Sequence, residues 1–305
     1  MRGIGFNESS LGAKPNVSVY VDEVPLAFPI VTAGAALDLE RVEILKGPQG
    51  TLFGQNSTGG AISYIAAKPT NQLEAGVNAE YGRFNEANLE GFVSGPFSDS
   101  VRGRIAVKSE QSDGWQKSYT TGRKLGDKDK LSGRALLEWT PTDVLQAQLT
   151  LSGYRDQSDN QAAQHIAVTP LAPSRIGLIP DIVAYPLSPR DSRAADWGPD
   201  DSYGRDNDFY QGALRVDYSL PNDLVLTAIS AYSEYDQTST VDADGLTVQN
   251  LEYISAGDIR SFSQELRLAG VIGERAHWIV GANYADDKVK QRDSGFNGYN
   301  TNSYA

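Results

Sequence analysis

Between Leu73 and Tyr284, apolar and polar residues alternate in nine successive segments of roughly ten residues each. In one segment Val101, Gly103, Ile105 and Val107 share a face, and Arg102, Arg104, Lys108 and Glu110 share the other. In another, Leu131, Gly133, Ala135, Leu137 and Trp139 alternate with Arg134 and Glu138. In a third, Tyr210, Gly212, Leu214, Val216 and Tyr218 alternate with Gln211, Arg215 and Asp217. Successive side chains of a strand point to opposite faces, so this period makes each segment a strand with one apolar and one polar side. The connections are sorted by length. Gly95–Asp99, Pro141–Asp143, Pro221–Asp223 and Gly270–Glu274 read as short turns, whereas 111–130, 156–208 and 236–259 read as long loops. The link at Gly82–Glu86 is the short exception on the long-loop side. Short turns at one end and long loops at the other mark an antiparallel wall of outer-membrane type, which a soluble sandwich does not share. Tyr81, Trp139, Tyr154, Tyr218 and Trp278 fall near strand ends, where an aromatic girdle is expected.

Composition narrows the classes further. Lysine plus arginine number 27 against 39 aspartates and glutamates in 305 residues, a net charge of −12. Nucleic-acid binding requires clustered base, so this balance argues against it. Cysteine is absent, which excludes a disulfide framework and thiol or cysteine–metal chemistry. No apolar run is long enough for a transmembrane helix, and Met1–Asn7 lacks the apolar core of a signal peptide.

Residues 1–70 form a separate unit that leaves through Lys68-Pro69-Thr70-Asn71. Its centre is Leu39–Ile65. Val42 and Ile44 alternate with Arg41 and Glu43, a Gly-Pro turn follows, and Ala61 to Ile65 form a second strand. Between them lie Gly47, Gly50, Gly54, Gly59 and Gly60, expected to shape turns. These glycines fit neither a Walker loop nor a dinucleotide fingerprint.

The Arg-Val-Glu-Ile-Leu-Lys-Gly-Pro run at 41–48, the Gly-Gln-Asn-Ser-Thr-Gly-Gly-Ala-Ile run at 54–62 and the Lys68-Pro69 exit together resemble the second half of the plug domain of TonB-dependent outer-membrane receptors. Val17–Leu26 is similar to the plug's strand–turn segment, with Glu23 where the family commonly has glycine. Ser263–Leu268 is the most family-like piece of the wall. The resemblance implies a mainly β fold. Residues 1–70 would be the C-terminal part of a plug, a small mixed sheet. Residues 71–305 would be the N-terminal part of a barrel, with about nine antiparallel strands. Barrels of this kind close with an even strand count, and an open sheet leaves bare edges, so the chain reads as a fragment.

The resemblance also carries functional expectations. The receptor would take up a scarce solute such as a ferric siderophore, a cobalamin-like or haem compound, or an oligosaccharide. It would sit as a multi-pass barrel in the outer membrane of a Gram-negative cell. TonB, with ExbB and ExbD, would act on an N-terminal box outside this sequence. Plug arginines of the family pair with carboxylates of the inner wall, which puts Arg41, Glu43 and Glu265 forward as a plug–barrel charge lock. The plainer reading of Arg41 and Glu43 is a solvated strand face.

The long loops are acidic, with Asp156, Asp159, Asp181, Asp191, Asp196, Asp200, Asp201, Asp206 and Asp208 in one and Asp236, Asp242, Asp244, Glu252 and Asp258 in another. A solvated surface is the plain account, and the spacing matches no EF-hand. His165 and His277 stand far apart, and nothing here assembles a metal site, a cofactor site or a catalytic centre. A passive outer-membrane barrel and a soluble all-β binding protein are the rival readings.

Overall fold

The computed structural model describes residues 10–48, 50, 57–168, 180–198, 202–248, 250–272 and 276–297. Of the features anticipated above, Gly54, Gly273, Glu274, Asp200 and Asp201 lie outside these residues.

The N-terminal unit is a four-stranded mixed sheet. Strands β1 (Val17–Val21) and β2 (Val24–Leu26) form a hairpin. Two further strands are β3 (Leu39–Lys46) and β4 (Gly60–Ala66). Strand β4 runs parallel to β1, and β3 pairs antiparallel with β4 at the edge, giving the order β2-β1-β4-β3. Alternating β-branched residues in Val-Ser-Val-Tyr-Val favour the pleated backbone. Gly47 ends β3 at φ +94°, a left-handed conformation that favours glycine; a Cβ there would meet nothing within 4 Å. The need at Gly47 is therefore conformational rather than steric.

The rest of the chain forms a nine-stranded, wholly antiparallel sheet. Its first three strands are β5 (Glu74–Tyr81), β6 (Ala87–Ser98) and β7 (Val101–Ser112). A two-stranded ribbon, β8 (Gln116–Lys117) with β9 (Lys124–Leu125), rises from the loop that follows. The sheet then continues through β10 (Lys128–Thr142), β11 (Leu145–Asp156), β12 (Arg205–Leu220), β13 (Leu224–Asp242), β14 (Leu251–Ile272) and β15 (Ala276–Asn297). Strands β5 and β15 are its two ends, so the sheet does not close on itself. The protein is thus mainly β, a small mixed sheet followed by nine antiparallel strands.

The large sheet inverts the usual rule that apolar side chains lie inside. Val77, Ile105 and Leu151 are 76%, 58% and 53% exposed on its outer face. Arg104, Arg134, Glu138, Gln148, Thr150 and Gln211 are buried on its inner face. Such a face is stable where its surroundings are as apolar as the side chains.

Two sequence expectations change. The segment 236–259 is mostly strand, because β13 and β14 stay paired as far as Asp242↔Glu252, and of the described residues there only 243–248 and 250 lie outside the strands. Backbone pairing continues there after the apolar alternation fades, so periodicity under-reads strand length. Tyr154 is not a girdle residue; it is 4% exposed and points inward. The outward positions of β11 are the odd ones (Leu149, Leu151), so an even-numbered tyrosine belongs to the interior.

Tyr154 helps bind the two units together. It stacks on Phe209 with ring centroids 5.4 Å apart. These rings, with Tyr235 and Ile259 of the wall, pack against Leu11, Val21, Leu26, Phe28, Val31 and Ala35 of the first unit. The small sheet therefore fills the concave face of the large one. Phe28 is 2% exposed and lies under the Lys14 ammonium, 3.9 Å from its ring centroid. Phe28→Ala should cost about 3 kcal/mol of this seating. The expected readout is protease access to residues 17–66 at a lower urea concentration than in the wild type. An unchanged midpoint would show that this cluster does not hold the unit in place.

Candidate functional site

The polar contacts between the small sheet and the wall form two clusters. In the first, the Arg104 guanidinium donates to both carboxylate oxygens of Asp38, at 2.5 and 2.6 Å. Their side chains are 6% and 8% exposed. Arg104 also stacks over Phe92, 3.8 Å from the ring centroid. The Asp38 backbone N–H donates to Glu90 at 3.0 Å. Beside this pair Arg134 donates to the Leu37 and Ala35 carbonyls at 2.5 and 3.4 Å. Lys130 donates to the Ala33 carbonyl at 2.7 Å. Alternation puts Arg104, Lys130 and Arg134 on the inner face, and the turn 33–38 supplies the oxygens they need.

The second cluster is built on the β1–β2 turn. Val21 pairs with Val24, so Asp22 and Glu23 are the two central residues, at φ +48° and +70°. Two positive φ values are what a tight primed turn demands, and glycine usually supplies them. Asp22 accepts from the Ala66 backbone N–H at 3.1 Å and from Lys68 at 3.4 Å. Glu23 reaches the wall, where its two carboxylate oxygens meet Arg215 and Arg267. Arg215 is also held by Asp217 at 2.6 Å, and Asp217 accepts from Thr227 at 2.6 Å. Lys14 pairs with Asp287 at 2.5 Å further along the seam.

Arg41 and Glu43 do come together, at 2.8 Å, with Glu40 2.6 Å from Arg41. All three are solvent-facing on the edge strand β3, and the bond from Glu43 leads in raising the Arg41 pKa. Glu265 lies on the inner wall beside Arg267 at 3.1 Å and is not brought to Arg41. It joins the Glu23 cluster instead, through the shared arginine. Gly59 and Gly60 stand at the start of β4, where the Gly59 N–H donates to the Asn16 carbonyl at 2.8 Å. A Cβ added at Gly50 would meet nothing within 4 Å. Arg104, Arg134, Arg215, Arg267, Asp38 and Glu23 are not among the residues that the family resemblance puts forward as a lock. The signal that could have found the arginines is parity, because each sits at an inward position between outward apolar residues.

The loops beyond the long ends of the strands pack into a cap. Leu125, Ala162, Ala195, Trp197 and Tyr203 form its apolar centre. Asp196, fully buried, accepts from Ser118 at 2.5 Å, Thr120 at 2.9 Å and Tyr185 at 2.5 Å. Asp244 accepts from the Leu246 and Leu251 N–H groups at 2.9 and 2.7 Å. Burial nevertheless raises its pKa, and burial followed by the neighbouring Asp127 raises that of Asp159. Among the described residues no three histidines, cysteines, aspartates or glutamates stand where they could hold a metal ion.

Arg104→Ala strands the Asp38 carboxylate in a buried site and should cost about 3 kcal/mol. Urea-dependent protection of the small sheet measures this, and a midpoint equal to wild type would contradict it. Asp244 has a folded pKa above its unfolded value, so the folded cap binds protons more readily than the unfolded one. Its favourable share is present below the ordinary carboxylate pKa and is lost as pH rises through the folded one. Amide exchange in 243–250 should therefore quicken relative to intrinsic rates on raising pH across that window, and Asp244→Asn should flatten the dependence.

Residues 1–61 match the family profile described as TonB-dependent Receptor Plug Domain. The pesticin receptor of Yersinia enterocolitica is 33% identical over 135 residues, covering 42% of this chain and 19% of that one. The ferric-pyoverdine 358 receptor of Pseudomonas putida is 25% identical over 316 residues, covering 96% and 36%. In fold, the chain is similar to the crystal structure of the ferric yersiniabactin uptake receptor of Yersinia pestis, with a TM-score of 0.74 and 22% identity. That similarity covers 93% of this chain and 41% of that one. The chain thus spans about a fifth to two fifths of the length of these relatives. They are outer-membrane β-barrel receptors, a transport family rather than an enzyme family. Residues 1–61 thus match the plug domain of TonB-dependent receptors, and the wall strands that follow share the fold of these relatives.

Proposed function

We propose that this chain is the plug-and-wall part of an outer-membrane receptor that takes up a scarce solute under the control of TonB, with ExbB and ExbD. Residues 1–70 are read as plug and 71–305 as multi-pass wall in a Gram-negative cell. The observation that carries the reading is a wall apolar outside and charged inside, whose buried arginines are satisfied by a folded unit seated in its concave face. That arrangement blocks the lumen at rest and is released by breaking polar contacts rather than by unfolding the wall. A ferric siderophore is the solute class best supported, since two relatives carry ferric pyoverdine and ferric yersiniabactin in their names. Barrel and plug need do no covalent chemistry: uptake follows from differential binding and rearrangement.

The test is uptake of radiolabelled ferric siderophores by cells expressing the complete gene product, with and without working TonB. Accumulation that requires both supports the reading. Entry that persists without TonB would favour a passive barrel. The lipid-facing surface is tested separately. Leu149 stands outward between Leu137 and Leu214 on neighbouring strands. Leu149→Arg should destabilise membrane insertion by about 2–4 kcal/mol, measured by folding into lipid vesicles. A neutral outcome would favour a soluble all-β protein.

A further inference from the structure

The seam between the plug and wall strands β11–β15 is not solid. One cavity of about 180 Å³ lies between Val24, Leu26 and Ala27 of the plug and Gln211, Ser233 and Ser263 of the wall. A second, of about 310 Å³, lies between Ile65 and Lys68 of the plug and Gln146, Gln148 and Asp217 of the wall. Each has room for several water molecules and has polar groups to hold them. Among the described residues Glu23 alone lines both.

Glu23 also holds a backbone conformation that suits its side chain poorly. It occupies φ +70° in a two-residue turn where glycine is favoured. A carboxylate kept at such a position has a reason outside the turn, and the reason in view is its double pairing with Arg215 and Arg267. The turn would form more easily without this side chain, and the wall arginines would then lose their link to the plug. Backbone preference and ion pairing pull in opposite directions at one residue, which is how a releasable contact is built.

We propose that Glu23 is a latch, and that its release from Arg215 and Arg267 joins the two cavities into a continuous solute path along the hairpin–wall seam. The proposal rests on the receptor reading above. It places the path on the side of the plug that faces β11–β15. Lys14 and Asp287 line the first cavity and Asp217 the second, so the opened path carries charged groups along its length.

The test is ion conductance of the complete gene product reconstituted in planar lipid bilayers, with Glu23→Gly, Glu23→Gln and an exposed loop control, Arg193→Ala. Glu23→Gly relieves the turn and removes the charge, while Glu23→Gln keeps the turn as it is and removes only the charge. Both should raise the open fraction about tenfold, the factor that losing one half-buried charge pair makes in an opening equilibrium. The control should match wild type. Heat-modifiable gel mobility verifies that each variant has a folded barrel. Should Glu23→Gly fail to fold, Glu23→Cys with Arg267→Cys joined by a reducible thiol-reactive linker as long as the original ion pair gives the complementary arm: cross-linking should abolish solute uptake and reduction should restore it. Folded Glu23→Gly and Glu23→Gln proteins as closed as wild type, or a cross-linked pair that still transports, would overturn the latch. Wild-type protein missing from the outer membrane would instead overturn the receptor reading.

Discussion

The arrangement depends on charged side chains that the wall cannot satisfy by itself. Arg104 and Arg134 are buried on the inner face of a sheet whose backbone groups are already paired across strands. An unpaired buried guanidinium is costly, and breaking such a pair costs far more than an exposed pair contributes. The turn 33–38 meets this need with the Asp38 carboxylate and the carbonyls of Ala33, Ala35 and Leu37. Plug and wall are therefore each the other's solvent, and the apolar cluster of Phe28, Val31, Tyr154 and Phe209 forms around contacts that are polar at their edges.

The polarity of the two clusters is the reverse of what family resemblance implies. Carboxylates come from the plug and cations from the wall at Asp38–Arg104 and at Glu23–Arg215–Arg267. Arg41 and Glu43 neutralise each other on a solvent-facing edge strand. Glu265 is drawn into the seam only through Arg267. Either polarity satisfies the same requirement, since an ion pair is indifferent to which partner belongs to which unit; Lys14–Asp287 runs the other way. What matters is that the two charges are far apart in sequence and adjacent only when the plug is seated.

The strands themselves are legible because alternation is a local signal: Ile105 and Val107 against Arg104 and Lys108 need no partner to be read. The mixed sheet is legible through the apolar runs at Val17–Val21 and Ala61–Ile65 and the glycines between. Three things are not legible. The upper parts of β13 and β14 have polar residues on both faces, so nothing marks them as strand until Asp236↔Asp258 and Thr240↔Ile254 are seen paired. Tyr154 is misplaced when its nearness to a strand end is weighed above its parity. The contact between Glu23 and its two arginines joins residues 192 and 244 positions apart, and no local pattern encodes those separations.

Two kinds of contact hold the plug, and they differ in how they let go. The apolar cluster is sealed from water and holds until its surfaces part, when a small gap forfeits much of its dispersion energy. The half-exposed ion pairs at the rim are screened as soon as a displacement admits water between the charges. A pull on the plug that moved the hairpin slightly would therefore release Glu23 from Arg215 and Arg267 well before Phe28 left its site. Asp38 and Arg104, at 8% and 6% exposure, stand further from solvent than Glu23 at 38% and should yield later. The order of release then follows from burial: the exposed turn first, the buried turn next and the apolar cluster last. A seam graded in that way can part at the exposed turn while the buried turn and the apolar cluster still hold the small sheet against the wall.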